Sequence, residues 1–334
     1  MANRKRPKRR RTRRHPRPPA GPQAYVRQVI GCLERICRRS GQSPHTVYAD
    51  LVNLTEATLQ RLPDQVIAAG QTGRFAPDPP AIAERFAQVK ARYRDRFDDV
   101  WTDFAQAFAL LLDASAPGLA AYADGSPGMG PDILGGVFQQ WVNPTGRGGQ
   151  VLTPWNLGLV MARTLTGPTF EREIHDRLKQ ALTHPDNLLG HAALLTSAGI
   201  EDPAFAWDWF MQTLVPVALP YLSPITVSDP CCGSGALILC HAACCPVYAV
   251  QTGLVKYFGQ EIDPLLQMTA AANLLLYGLN GFGLRLTAAA QVAGAASGQG
   301  PDSPRQAIRL IERQPVEISP AQPTFYDRFV AARR

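Results

Sequence analysis

The sequence predicts an α/β protein in which an N-terminal helical region is followed by an incomplete parallel sheet. Apolar residues recur at helical spacing from the end of the basic start to position 142. A β-branched run at 225–228 then ends at an acid and leads into the order strand, Gly-rich loop, helix, strand, acid, helix. With 334 residues, 46% of them apolar, the chain is long enough to bury a sizeable core.

The segment 1–22 is rich in Arg and Pro and is predicted to form a disordered basic tail. Positions 1–20 hold ten of the 34 basic residues and no acid, so 24 basic and 27 acidic residues remain, a net charge of −3. We expect the tail to bind phosphates without reading sequence, although a solvated arm without function or a nuclear-targeting signal has the same composition. The candidate nucleic-acid contacts are Arg4, Lys5, Arg6, Lys8, Arg9, Arg10, Arg11, Arg13 and Arg14.

The seven cysteines are odd in number, and five of them fall within residues 231–245. Because no apolar stretch follows the basic start, we expect no secretory signal, a reducing cytoplasm and free thiols. A zinc site of Cys240, Cys244 and Cys245 with His241 lacks the paired CxxC spacing, so core packing is expected and no metal. The apolar run at 231–250 contains glycines and a proline and is not expected to span a membrane.

Helical spacing of apolar residues predicts helices over 25–37, 47–60 and 79–114. Ser43 and Pro44 are expected to open the second of these, with Pro just inside its start. Together with the segments that follow, they define a predicted helical region over 23–142.

Part of the helical segment 79–114 is expected to be buried, and one further helix is expected before residue 142. The stretch Trp101–Leu112 is apolar nearly all round and predicts a buried helix. After a loop at 125–130, Asp132–Val142 predicts a short amphipathic helix.

The predicted α/β unit, residues 143–290, begins with a loop at 143–149. Thr153 is expected to cap a helix over 155–165, with Pro154 in its first turn. Two or three helices follow to about residue 213. The remaining elements are a strand at 225–228 ended by Asp229, a helix at 236–244, a strand at 254–259 and a helix at 264–277. Residues 291–334 form a Pro/Gly-rich C-terminal segment.

The loop Asp229–Gly235 carries the chemistry of the second half. Glycines at 233 and 235 permit tight turning and close approach of a ligand, and the following helix N-terminus supplies free N–H groups. Asp229 can pair with an ammonium group, and Glu261, at the end of the next strand, suits a ribose diol. Because the loop is not GxGxxG, a ligand with an amino-acid head and a nucleoside tail fits better than a pyrophosphate.

The sequence Asp-Pro-Cys-Cys-Gly-Ser-Gly at 229–235 resembles the cofactor motif of N6-adenine DNA methyltransferases, particularly type I restriction-modification methylase subunits. Gly-Gln-Val-Leu-Thr-Pro at 149–154, Phe-Gly-Gln-Glu-Ile-Asp-Pro at 258–264 and the helices at 132–138 and 272–280 are similar to further family segments, in the same order. The resemblance covers roughly residues 130–282 and is carried by motifs. It implies a Rossmann-like sheet, S-adenosyl-L-methionine as cofactor and DNA as partner.

The resemblance also implies roles for individual residues. Asp229, Gly233 and Gly235 would shape the methionine end of S-adenosylmethionine, and Thr153 and Pro154 would close over its carboxylate side. Glu261 would accept from the ribose hydroxyls, Ile262 would pack on the adenine and Asp263 would lie beside it. A core position for Ile262, a solvated charge for Glu261 and a loop role for Ser234 are the alternatives. The full set of candidate cofactor-binding residues is Gln150, Thr153, Pro154, Asp229, Pro230, Gly233, Ser234, Gly235, Glu261, Ile262 and Asp263.

The acceptor half of the family's site has no counterpart in the sequence. The family uses Asn-Pro-Pro-Tyr/Phe to orient and stack the flipped adenine, whereas Asn143-Pro144 precedes the cofactor loop and Gln322–Tyr326 lacks the Asn. After the expected helix at 264–277, the chain offers only a possible strand at 284–286, a helix at 306–312 and a strand at 315–319. The family's sheet needs about four or five more strands, and each βαβ unit takes roughly 30 residues, so we expect it to be incomplete here. The catalytic residues stay unassigned.

Two functions compete. The chain is either the cofactor-binding part of an adenine-N6 methyltransferase, with a second polypeptide supplying the catalytic motif or target recognition, or a non-catalytic DNA- or cofactor-binding module derived from one. A methyltransferase for another substrate is disfavoured because the matches outside the loop are of the DNA-methylase kind. A bacterial-type cytoplasmic, nucleoid-associated location is expected.

Overall fold

In the computed structural model, which describes residues 21–123, 130–146, 150–280 and 282, thirteen α-helices accompany a sheet of two parallel strands. The tail residues 1–20 lie outside these ranges. So do most of the loop at 125–130, residues 147–149, the expected strand at 284–286 and everything after it.

The first half is helical, as predicted. Its helices are α1 Pro22–Ser40, α2 Pro44–Thr72, α3 Pro80–Tyr93, α4 Phe97–Ser115 and α5 Ile133–Val137. Ser43 caps α2 by accepting a hydrogen bond from the Thr46 N–H at 3.1 Å, with Pro44 at the first helical position. The turn Phe138–Val142 continues α5 as a π-helix.

Two predictions in this half were wrong about burial. Helix α4 is amphipathic and not buried all round: Ala105, Gln106 and Ala109 are exposed, because α4 turns one face to α1. The segment Asp132–Val142, expected to be one amphipathic helix, is buried on every side over α5, which lies against α1, α4 and α13, and is exposed only at Gln139 and Gln140 in the π-helical turn that follows. Neither outcome is encoded in the local pattern, since both depend on which helices lie nearby.

The second half alternates helices with the two strands. Its elements are α6 Trp155–Leu165, α7 Pro168–Leu182, α8 Leu188–Ser197, α9 Pro203–Trp209, α10 Val215–Ala218, β1 Ile225–Asp229, α11 Ala236–Ala243, α12 Val247–Thr252, β2 Val255–Gly259 and α13 Pro264–Leu276. Both expected strands and the helices at 236–244 and 264–277 are confirmed. Helix α12, which begins directly after Pro246, was not anticipated.

The strands pair in parallel, with Ile225 opposite Val255 and Asp229 opposite Gly259. Ile225, Val255 and Tyr257 face the core. The Asn280 side chain pairs with the backbone of β2 at Tyr257. Its Oδ1 accepts a hydrogen bond from the Tyr257 N–H at 2.7 Å, and its Nδ2 donates to the Tyr257 carbonyl at 2.9 Å. The described chain is therefore a mostly helical α/β protein with a small parallel sheet, and both strands end at the same edge.

Helix α13 links two hydrophobic cores. Leu265, Leu266 and Ala272 pack with apolar residues of α1, α2, α4 and α5. Ala270 and, just beyond the helix, Tyr277 join the core built from α6–α8, α10–α12 and the strands. The end of β2 and the start of α13 are thus held by packing from both halves.

Candidate functional site

The loop between β1 and α11 turns at two left-handed glycines. Gly233 has φ +55° and Gly235 has φ +87°, conformations that a residue with a Cβ adopts at a cost. The Gln260 N–H donates to the Asp229 carbonyl, and the Cys232 N–H donates to the Gln260 carbonyl, both at 2.9 Å. These two bonds fasten the loop to the end of β2.

Asp229 at the end of β1 has one satisfied and one unsatisfied carboxylate oxygen. Its Oδ1 accepts from the Cys231 N–H at 3.0 Å. Its Oδ2 is shielded from solvent and has no hydrogen-bond partner among the described residues. Because leaving a buried oxygen without a hydrogen bond costs free energy, a cationic donor from a ligand would stabilise this atom by bonding to it.

Glu261, just beyond β2, reaches across to the glycine loop. One of its oxygens accepts from the Gly233 N–H at 2.8 Å, and the other accepts from the Asp263 N–H at 3.0 Å. A carboxylate has about four acceptor positions, so both oxygens can still receive further donors. The structure therefore brings the two predicted strand-end acids and the loop to one edge of the sheet.

Gln150 and Asp263, both predicted site residues, are joined directly. Asp263 caps α13, its Oδ1 accepting from the N–H groups of Leu265 at 2.8 Å and Leu266 at 3.3 Å, while its Oδ2 accepts from Gln150 at 2.7 Å. Burial raises the pKa of Asp263, but the hydrogen bonds from Gln150 and the helix start outweigh it, so the pKa lies below its usual range. Asp263 is thus held as an anion.

The segment before α6 lies next to the glycine loop. A Cβ built on Gly233 would lie 3.0 Å from Leu152 Cδ2, so Gly233 has little room for a side chain where it faces Leu152. The predicted cap is displaced by one residue: Pro154 occupies the N-cap position, and α6 begins at Trp155. With φ −58° and ψ 138°, Pro154 is extended, so Thr153 stands outside the helix.

Three predicted residues differ in exposure. Ile262 is 97% exposed, which excludes its alternative as a core residue, and Pro230 is also exposed. Ser234 is fully buried, and its side chain donates to Asp132. The Ser234 side chain is therefore engaged within the protein and is not available to a ligand as the loop stands.

The sequence reading missed a buried polar cluster beneath the loop, made of Asp132, Ser234 and Asn273. The Asp132 carboxylate accepts from the Gly135 N–H at 2.7 Å, the Asn273 amide at 2.8 Å and the Ser234 hydroxyl. An acid directly before Gly-containing α5, and a lone Asn within apolar α13, are the local signals that could have drawn attention to it.

Of the five cysteines within residues 231–245, Cys232, Cys240 and Cys245 are buried in the second half, Cys244 is partly buried and Cys231 is exposed. Burial raises the pKa of Cys245 to about 11, and burial together with Cys244 and Asp132 raises that of Cys240 to about 12, so both remain thiols at neutral pH. Among the described residues, no group of three or more His, Cys, Asp or Glu is placed to hold a metal ion. The tail residues Arg4–Arg14 lie outside the described residues.

None of the helices in the described ranges combines the length and apolar character needed to cross a membrane.

Comparison with known proteins gives one match. Residues 211–291, which include β1, the glycine loop, β2 and α13, match the family model described as N-6 DNA Methylase. No curated protein and no solved structure matches the chain. The expected relation to the N6-adenine DNA methyltransferase family is confirmed over this segment.

Proposed function

Since residues 211–291 are related to the N-6 DNA methylases, we propose that the chain binds S-adenosylmethionine at the carboxyl end of its two strands, as the cofactor side of an adenine-N6 methyltransferase site. The observation that carries the proposal is the shielded, unpaired Oδ2 of Asp229 beside the glycine loop. An ammonium group of a ligand would satisfy it.

The residues present fit this cofactor at both of its ends. Asp229 and the backbone of Gly233–Gly235 would hold the amino-acid end. Glu261 would receive the ribose hydroxyls, and the exposed Ile262 would cover the adenine ring, gaining burial on binding. Gln150, Thr153, Pro154 and Asp263 would close the cleft from the side of α6. The bound cofactor would supply an electrophilic methyl group.

Isothermal titration calorimetry with S-adenosylmethionine tests this site. We expect Glu261→Ala to weaken binding about tenfold or more, because it removes an acceptor for the ribose and the link to Gly233. Gly233→Val should abolish binding, since φ +55° and the nearby Leu152 both oppose a branched side chain. Glu84→Ala, an exposed acid on α3, is the control. Undiminished binding in both site variants contradicts the assignment.

A non-catalytic DNA- or cofactor-binding module is the second candidate. It is favoured by one observation, namely that the 334 residues contain no Asn-Pro-Pro-Tyr/Phe sequence. Under either candidate we expect no adenine methylation by this chain alone. We propose that a second polypeptide supplies the catalytic motif or target recognition, as in a restriction-modification system. Transfer of labelled methyl groups to plasmid DNA by the purified chain would contradict both the expected inactivity and the need for that polypeptide.

We further propose that DNA is the partner of the basic tail, in a nucleoid-associated cytoplasmic protein. The ten positive charges at positions 1–20 would make the contact strongly salt-dependent. Deleting this segment should lower DNA affinity and flatten its dependence on salt in a fluorescence-anisotropy titration. A deletion variant with unchanged affinity would remove the tail from the interface.

A further inference from the structure

The buried cluster beneath the glycine loop joins three distant segments of the chain. Asp132 precedes α5, Ser234 lies in the loop, and Asn273 lies on α13. All three are nearly inaccessible, with 8%, 0% and 1% of their surfaces exposed. Because buried polar groups require partners, the geometry among them is narrowly defined.

Asn273 and Asp132 hold Ser234 from two directions. The Asn273 amide nitrogen donates both to Asp132 Oδ1 and to the Ser234 carbonyl, each at 2.8 Å. The Ser234 hydroxyl donates to the other oxygen of Asp132. Backbone and side chain of Ser234 are therefore fixed together, and Ser234 stands between the two left-handed glycines.

Asp132 itself is anchored by its surroundings. Its Oδ1 caps the start of α5 through the Gly135 N–H. Tyr277 donates to the Pro131 carbonyl at 2.6 Å, and Tyr48 donates to the Leu134 carbonyl at 3.0 Å. A Cβ on Gly135 would lie 2.1 Å from Asp132 Oδ2 and 2.5 Å from Ser234 Oγ, so the glycine is what lets the cluster close.

We propose that Asp132 is a positioning residue for the cofactor loop, acting through Ser234 to set the direction of the backbone at Gly233–Gly235. The inference rests on the proposed function, in which that backbone receives the amino-acid end of S-adenosylmethionine. The helical region before residue 142 would then contribute to ligand binding through Asp132, without contacting the ligand.

The variants are chosen to separate positioning from folding. Asp132→Asn is isosteric and keeps one acceptor oxygen, but it replaces the carboxylate oxygen that receives the Ser234 hydroxyl with an N–H donor, so the charge-assisted bond is lost and the hydroxyl must reverse its direction. Ser234→Ala is milder and removes the same link from the other side. Asp50→Asn is the matched control: Asp50 is 2% exposed in α2 and accepts from the Tyr93 hydroxyl at 2.9 Å, within the helical core.

Amide hydrogen exchange on the free protein tests the positioning without any ligand. We expect faster exchange in peptides spanning 231–236 for Asp132→Asn and Ser234→Ala, with exchange in α1 unchanged. The control should leave the loop unchanged. Unaltered loop exchange in both cluster variants, or an equal acceleration throughout the chain, overturns the proposal whether or not the protein binds the cofactor.

Ligand discrimination gives a second readout, measured by calorimetry with S-adenosylmethionine and with 5′-methylthioadenosine, which lacks the amino-acid end. Both cluster variants should bind S-adenosylmethionine about tenfold more weakly and methylthioadenosine within about twofold of wild type. The double variant should be no weaker than Asp132→Asn, because the two residues act in series. Equal losses for both ligands overturn the positioning role, whereas a wild-type chain that binds neither ligand contradicts the proposed function alone.

Discussion

The two halves of the molecule differ in how completely they cover their apolar side chains. Among the described residues, every strongly exposed large apolar side chain lies after residue 150. Four of them form a stripe along α6 at helical spacing: Leu157, Val160, Met161 and Leu165. Single exposed apolar residues are ordinary, but a stripe along one helix face is not. Within the described residues, the helical half covers its large apolar side chains, while the second half leaves several of them exposed.

The largest expected loss of stability comes from a truncation within the helical core. Leu33 in α1 is fully buried, so Leu33→Ala should lower the free energy of unfolding by about 2–5 kcal/mol. The matched change Leu195→Ala on α8, where the side chain is 79% exposed, should alter it by less than about 0.5 kcal/mol. Urea denaturation measures both. A comparable loss from Leu195→Ala would mean that its exposed face is covered in solution.

A pH titration tests whether the second half, despite its open surface, has a sealed interior. Burial lowers the pKa of His241 to about 4, so the unfolded chain binds this proton first, near pH 6.5. The neutral His241 therefore contributes its full share to the free energy of unfolding above pH 6.5. This contribution is lost as the pH falls toward 4, and the loss is about 3 kcal/mol at most.

The measurement is the free energy of unfolding between about pH 7 and pH 4, in wild type and His241→Gln. We expect a flatter profile in the variant. Leu195→Ala removes no titratable group and should keep the wild-type slope. Parallel profiles for wild type and His241→Gln would show that water reaches this core.

The smallest expected change in the free energy of unfolding is at Gly135, where α5 packs against the loop between β1 and α11. Gly135→Ala should cost about 1–3 kcal/mol, because the added methyl group collides with Asp132 and Ser234. Gly31→Ala in α1 is the control, since its Cβ meets only Arg35 Nη1 at 3.8 Å, and it should stabilise by roughly 0.5–1 kcal/mol. Thermal unfolding compares the two. Equal tolerance of both changes would mean that the halves are not tightly joined at this point.

Local signals explain what the sequence predicted well. Ser43-Pro44 marks the start of α2, and the β-branched run before Asp229 forms β1. Asp263-Pro264 and Gly278 bracket α13, where Asp263 caps the helix and Gly278 has φ +70°. Each of these features depends on residues within a few positions, so one sequence suffices to read them.

Long-range contacts explain what the sequence could not supply. Ser234 is in contact with Asp132, 102 positions away, and Asn273 with Asp132, 141 positions away. Glu261 was expected to face a ribose, and its link to Gly233 became visible only when the strands were paired. The exposure of α6 likewise depends on what lies beside the helix, which periodicity does not encode.

The sharing of α13 between two cores has a consequence for biosynthesis. Helices α1, α2, α4 and α5 leave the ribosome first, yet Leu265, Leu266 and Ala272, which complete their core, are translated long after α5. At about 5–20 residues per second, the nascent helical bundle spends on the order of ten seconds without its last helix. During that interval the apolar residues that α13 covers in the folded protein stay exposed and are open to chaperone binding. A chain that ended before residue 265 would lack the α13 residues of both cores.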